Sequence, residues 1–219
     1  MRAKRDGDRK PLGRPPSTSS EQTKREILRA ARKCFARYGY EKTTNKLIAS
    51  EANLTAGSLY HYFDSKSELF AAVTSEVLVL FEEGFQGAIT NDLPLVDNLI
   101  ELFDVAISLY ESDRSLSDFI AILPIEANRA GGLDEVTRML LSSSLQHLVS
   151  LVTEAQKSGE ISPDVDRTAV VRALAAAFAG LALLGTTVDD PAKYREIADG
   201  FKKLVTGSLL RAPVGLSRG

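Results

Sequence analysis

The chain has 219 residues, 44% apolar and 26% charged, with a formal net charge of −2. These are the proportions of an ordinary globular protein, with room for one large domain or for a small domain joined to a larger one, and they exclude a uniformly basic nucleic-acid binder. The average hides an asymmetry: residues 1–76 carry 15 Lys and Arg against 9 Asp and Glu, and the remainder carries 12 against 20, so a part suited to meeting phosphate precedes a part that is not.

Residues 1–17 (MRAKRDGDRKPLGRPPS) hold six basic groups, three prolines and two glycines. They cannot build a core, and a disordered basic arm is expected over 1–18. Its Gly13-Arg14-Pro15 step resembles the core of an AT-hook, in which an extended arginine lies in a narrow minor groove; a plain solvated tail is the equal alternative.

A first helix is expected from Ser19 or Ser20, where Ser19 with Gln22 can form a capping box. Ile27, Leu28, Ala31, Cys34, Phe35 and Tyr38 recur every three or four residues as a core stripe, with Lys24, Arg25, Arg29, Arg32, Lys33 and Arg37 on the other faces. Gly39 ends this helix as a C′ residue would, and Thr43 or Thr44 can cap a second helix whose inner face is Ile48, Ala49 and Ala52. Asn53-Leu54-Thr55 then makes a tight turn: Asn tolerates the left-handed conformation, and Thr55 can cap a third helix. Beyond the turn Leu59 and Phe63 face inward, four residues apart, while Thr55, Ser58, Tyr60, His61 and Tyr62 form a dense hydrogen-bonding set. Two short helices and a tight turn predict a helix-turn-helix, with the helix from about Thr55 to Tyr62 entering the major groove of DNA.

Ser65 and Glu68 match the S-x-x-E box that starts a helix. Leu69, Phe70, Val73, Val77, Leu80, Phe81 and Phe85 carry its apolar face to about residue 87. At about 1.5 Å per residue it is about 30 Å long, enough to leave a small bundle and join it to the next domain. From Asp92 onward the pattern is helical throughout, over about 94–111, 115–129, 133–158, 165–187 and 190–210. The predicted fold is all-α: a helix-turn-helix domain over 19–66, a larger helical domain over 67–210 and a tail over 211–219.

Cys34 is the lone cysteine, so no intrachain disulfide can form and a reducing compartment fits. No apolar run follows the basic start, and the weakly polar run Ala173 to Val188 is too short to span a bilayer. A cytoplasmic protein without a membrane partner is expected. Two histidines, one cysteine and no metal spacing, phosphate loop or nucleophile elbow leave an enzyme without its usual equipment. No metal or other cofactor is expected.

Residues 21–68 resemble the DNA-binding domain of the TetR family of transcriptional regulators. The match is carried by Phe35, Tyr38-Gly39-Tyr40, Thr43-Thr44, Ile48-Ala49, Ala52, Gly57-Ser58-Leu59-Tyr60-His61-Tyr62-Phe63, Ser65-Lys66 and Leu69. The resemblance implies a homodimer in which each recognition helix reads half of a palindromic operator. It implies phosphate contacts from Tyr60, His61, Lys66 and Thr44, a base contact from Lys46, and Thr55, Ala56 and Ser58 nearest the base edges, with Gly57 allowing close backbone approach. Asn53 stands where the family usually has Gly, a substitution the backbone accepts. Ala56 stands where a larger polar residue is common, which thins direct base readout and gives more weight to Lys46, to Arg14 in the arm and to DNA shape.

The resemblance also implies a C-terminal part that binds a small effector and dimerises. Phe103, Ile107, Tyr110, Phe119 and Leu123 are candidates to line an apolar cavity, with Glu126, Asn128 and His147 to orient a ligand, although for each of them ordinary core packing is the commoner role. Pro124 removes a backbone hydrogen bond inside a helix and can open such a pocket. An apolar or amphiphilic effector fits the scarcity of charge on the inward faces. Ala173, Ala177, Gly180, Leu181 and Leu184 form a small-residue stripe that, with Phe201 on the last helix, can build a four-helix dimer seam; the alternative is packing within one chain. The expected function is a ligand-responsive homodimeric repressor, and the alternative is a DNA-binding regulator or architectural protein without an effector.

Overall fold

The computed structural model describes residues 16–90, 92–129 and 135–209, with side chains at 20–90, 92–126 and 145–209. Arg14 and the AT-hook-like step, the side chains of Ser19 in the proposed capping box and of Asn128, and the tail beyond 209 lie outside the described residues. In chain order the helices are α1 (Pro16–Lys42), α2 (Asn45–Glu51), α3 (Ala56–Tyr60), α4 (Lys66–Ala88), α5 (Leu95–Ser112), α6 (Ser115–Arg129), α7 (Glu135–Ser158), α8 (Arg167–Gly185) and α9 (Pro191–Val205). Among the described residues there is no strand.

The expected boundaries hold to within a few residues, and the caps explain why. Thr44 accepts from Leu47 N, Thr55 from Ser58 N and Ser65 from Glu68 N, so each side-chain oxygen meets an N–H that its helix leaves unpaired. Asp166 and Asp190 do the same for α8 and α9. The capping box at α4 closes one residue early, because Glu68 reaches back to the N–H of Asp64 rather than of Ser65. Asn53 takes φ 55, the left-handed turn expected of it. The largest departure is at the end of the last helix, which stops at Val205.

One cluster of buried side chains runs through α1, α2, α3 and α4 into α6, from Ile27, Phe35, Ile48 and Leu59 to Phe70, Leu116, Phe119 and Leu123. Phe70 is its junction, edge-on to Phe35 at 5.0 Å and tilted against Phe119 at 5.5 Å. Two further clusters fill the larger bundle. One joins α5, α8 and α9 through Phe103, Tyr110, Leu181 and Tyr194; the other joins α5, α7 and α8 through Leu102, Leu148, Val152 and Val171. Gly185 is required here, because a Cβ would lie 2.7 Å from the Tyr194 ring, which stacks on Tyr110 at 3.8 Å.

By length and composition α8 is apolar enough to cross a membrane, with a mean hydropathy of 1.8, and only 22% of that stretch is buried. Length and composition of this kind are shared by core helices of proteins that enter no membrane, and α8 carries Arg167 and Arg172 in its first two turns. Its outward face is apolar, with Leu183 57% and Leu184 43% exposed.

Candidate nucleic-acid interface and ligand cavity

The exposed end of the N-terminal helices gathers most of the residues expected to meet DNA. Thr44, Lys46 and Leu47 of α2 are exposed beside Thr55, Ala56, Gly57, Tyr60 and His61 of the α3 segment. Leu59 and Phe63 are buried under them, and Tyr62 is half-buried against the same core. Regular helix in this segment stops at Tyr60, shorter than the expected span to Tyr62, with His61 still in αR conformation as the C-cap. Thr55 Oγ1 and Ser58 Oγ lie 2.8 Å apart, so both hydroxyls are held at the rim of the helix N-terminus. Of the two candidate caps for α2, Thr44 takes the role. Thr43 is buried and donates instead to Gly39 O at 2.7 Å.

Lys66 is placed differently from a free phosphate donor. Its Nζ donates to Tyr40 O at 2.9 Å and lies over the Tyr40 ring at 4.3 Å, so it closes the end of α1. The same junction is gripped from the other side. Tyr40 N–H donates to Glu126 Oε2 at 3.1 Å, and Gly39 between them sits at φ 74, where a side chain would be strained. Glu126, expected among the ligand-orienting groups, is therefore a brace between α6 and α1.

Arg32, expected on a face other than the core stripe, is 5% exposed. Its guanidinium donates to Ser115 Oγ at 2.9 Å, Glu76 Oε2 at 2.9 Å and Asp113 Oδ2 at 2.7 Å, and Arg29 reaches Asp113 at 3.0 Å. This fork ties α1 to α4 and to the start of α6. Burial lifts Glu76 above its ordinary pKa against the pull of Arg32. Asp113 is held below its own: burial opposes this, but the Ser115 hydroxyl and the two arginines outweigh it. Sequence reasoning missed the network because its partners lie more than forty residues away; the one local hint is a basic residue in register with a core stripe. Burial raises Cys34 to about 11, so it is a packed thiol rather than a nucleophile.

An apolar cavity of about 320 Å³ opens between α4, α6, α7 and α8. Leu78, Phe81 and Phe85 wall one side, Leu123 and Pro124 a second, Leu148, Ala175 and Phe178 the rest. Of the expected ligand residues, Leu123 and His147 line it. Phe103, Ile107, Tyr110 and Phe119 are at most 2% exposed and belong to the core clusters, where stacking and close packing consume their surfaces. Pro124 borders the cavity, as expected. Glu82 was missed; it faces His147 across the cavity, Oε1 to Nε2 at 3.7 Å. Among the described residues no three His, Cys, Asp or Glu side chains gather as a metal site would require.

The small-residue stripe of α8 divides between two faces. Leu181 is 1% exposed and Gly180 would place a Cβ 3.7 Å from Phe201, so these, with Phe201, pack α8 on α9 within the chain. Ala173 is exposed, Ala177 is half-buried and Leu184 is 43% exposed, on a face that continues through Ala176 and Leu183.

The family model described as "Bacterial regulatory proteins, tetR family" matches residues 27–73, the segment that holds α2, α3 and the facing halves of α1 and α4. The chain is 25% identical over 196 residues to the HTH-type transcriptional regulator UidR of Escherichia coli strain K12, covering 88% of this chain and 95% of that protein. Among solved structures it superposes on Salmonella enterica GusR with a TM-score of 0.59 and 28% identity, over 90% of this chain and 98% of that one. It also superposes on AibR, solved in complex with isovaleryl coenzyme A and operator DNA, with a TM-score of 0.63 and 26% identity, over 83% and 97%.

Proposed function

We propose, for a chain that belongs to the TetR family of bacterial transcriptional regulators, that it is a cytoplasmic homodimeric repressor released from a palindromic operator by a small apolar or amphiphilic effector. It is a regulator and not an enzyme, as its relatives are. The observation that carries the reading is the exposed surface around Gly57, where two capped helix N-termini, at Thr44 and Thr55, lie beside Lys46, Tyr60 and His61. Helix N-termini favour phosphate, and Tyr60, His61, Lys46 and Thr44 supply donors around them. Thr55, Ala56 and Ser58 meet the base edges. Lys66 acts chiefly by holding the α1–α4 junction, and Arg14 of the arm extends the footprint into the minor groove.

Two such surfaces must sit about 34 Å apart to meet successive major grooves. The exposed apolar face of α8 is a surface suited to join two copies. The cavity is walled by α4 and α6, and the same two helices grip the Gly39–Glu41 junction through Lys66 and Glu126. A ligand that prefers another spacing of α4 and α6 therefore moves the reading surface. It lowers operator affinity by its differential binding and no more.

The test is footprinting of the full-length chain on its own genomic fragments and on random DNA across a salt series. The expected outcome is a protected two-fold site, with affinity falling linearly in log salt. Equal affinity for random fragments would replace this reading with an architectural one.

A further inference from the structure

The cavity has one polar end, and its geometry is specific. Among the described residues, every side chain that lines it apart from Glu82, His147 and Ser117 is apolar or aromatic. Ser117 lies beside the Tyr194 hydroxyl, whose pKa burial raises and Ser117 lowers. His147 Nε2 is buried and has no hydrogen-bond partner. Glu82 Oε1 is 3.7 Å away, too long for a direct hydrogen bond, and it accepts from Gln86 Nε2 at 3.2 Å. A buried polar atom without a partner costs stability, so this gap is a place for a group that answers both sides.

We infer that the effector is an uncharged apolar molecule with a hydroxyl group seated between His147 and Glu82; this rests on the cavity being the effector site. A hydroxyl oxygen accepts from the imidazole N–H while its proton goes to the carboxylate, so one atom satisfies both groups. A ligand carboxylate can accept from His147 but brings its charge against Glu82. A thioester carbonyl accepts only and leaves Glu82 unanswered. An ammonium head suits Glu82 and offers His147 no acceptor. Because Glu82 is on α4 and His147 on α7, the hydroxyl also links the helix that grips the Gly39–Glu41 junction to the opposite wall.

The experiment is displacement of Nile red from the full-length chain by n-octanol, octanoate and octylamine, which share an apolar arm and differ in the head group. Octanol is expected to compete at least about tenfold better than either of the others. Glu82→Gln should narrow the gap between octanol and octanoate, and His147→Leu should weaken octanol more than it weakens the dye. Stronger competition by octanoate or octylamine, or a gap unchanged in Glu82→Gln, overturns the proposal. Failure of Nile red to bind the wild-type chain overturns the cavity as effector site as well, while leaving operator binding to be judged by its footprint.

Discussion

At Gly57 an added Cβ would find only Thr55 Oγ1, at an ordinary 3.8 Å. Nothing among the described residues therefore requires glycine there, whereas the proposed close approach to a groove would. Gly57→Leu is expected to leave the urea midpoint nearly unchanged and to weaken operator binding by tenfold or more in a shift assay, about 1.4 kcal/mol; full affinity would remove α3 from the interface. Tyr60, 54% exposed, and Lys66 separate in the same way. Tyr60→Ala should cost affinity alone, whereas Lys66→Met should also lower stability, because it strips the carbonyls at the end of α1. Arg32 has the opposite signature. Arg32→Met strands Glu76 and Asp113 in a partly buried site and should cost about 3 kcal/mol in urea unfolding. The pH dependence comes from the two carboxyls. Asp113, depressed below 3.8, contributes stability that is present above that pH and lost as pH falls through its folded value. Glu76, raised above 4.5, subtracts stability as pH rises through that region and nothing below it. Asp113→Asn should therefore flatten the acid limb of a stability–pH curve, and an unchanged limb would mean that Asp113 is not its source.

At the scale of elements, local chemistry was readable and long-range pairing was not. Asn53, Thr55, Ser65 and Glu68 act on groups within four residues of themselves, so the turn and the starts of α3 and α4 could be placed from sequence. The braces on the Gly39–Glu41 junction could not. Glu126 meets Tyr40 from 86 residues away, and Lys66 from 26. An acid in α6 reads like a pocket group until the tertiary fold puts it on α1. The same limit explains why Phe103, Ile107, Tyr110 and Phe119 looked like pocket walls: periodicity identifies an inward face but not whether the interior there is filled. The junction itself is testable. Gly39→Ala forces a side chain onto φ 74 with its Cβ 3.1 Å from Glu126 Oε1, and should destabilise by more than about 1 kcal/mol. Because the strain falls between α1 and α2, operator affinity should drop further than global stability does. A variant that unfolds earlier yet binds normally would show that the junction holds the fold without positioning the reader.

For the whole molecule the charge asymmetry and the division of α8 point to the same design. The basic, capped end belongs to the N-terminal helices, and the apolar surface left over lies on α8, a helix whose opposite side is already filled by Leu181, Gly185 and Tyr194. Sequence alone merged these two sides into one stripe, since Gly and Ala are compatible with packing inside the chain or between chains; Leu183, next to the stripe, is the most exposed large apolar residue there. A membrane and a second copy of the chain are the two environments that could cover such a face. They predict different things. Leu183→Glu with Leu184→Glu places charge at two side chains that are 57% and 43% exposed, so secondary structure and the Arg32 network should persist. If α8 joins two copies, the variant should sediment as a monomer and lose the avidity of two half-sites, reducing operator affinity by two or more orders of magnitude. A variant that remains a dimer would move the seam elsewhere, and one that leaves a membrane fraction for the soluble fraction would identify the bilayer as the partner of α8.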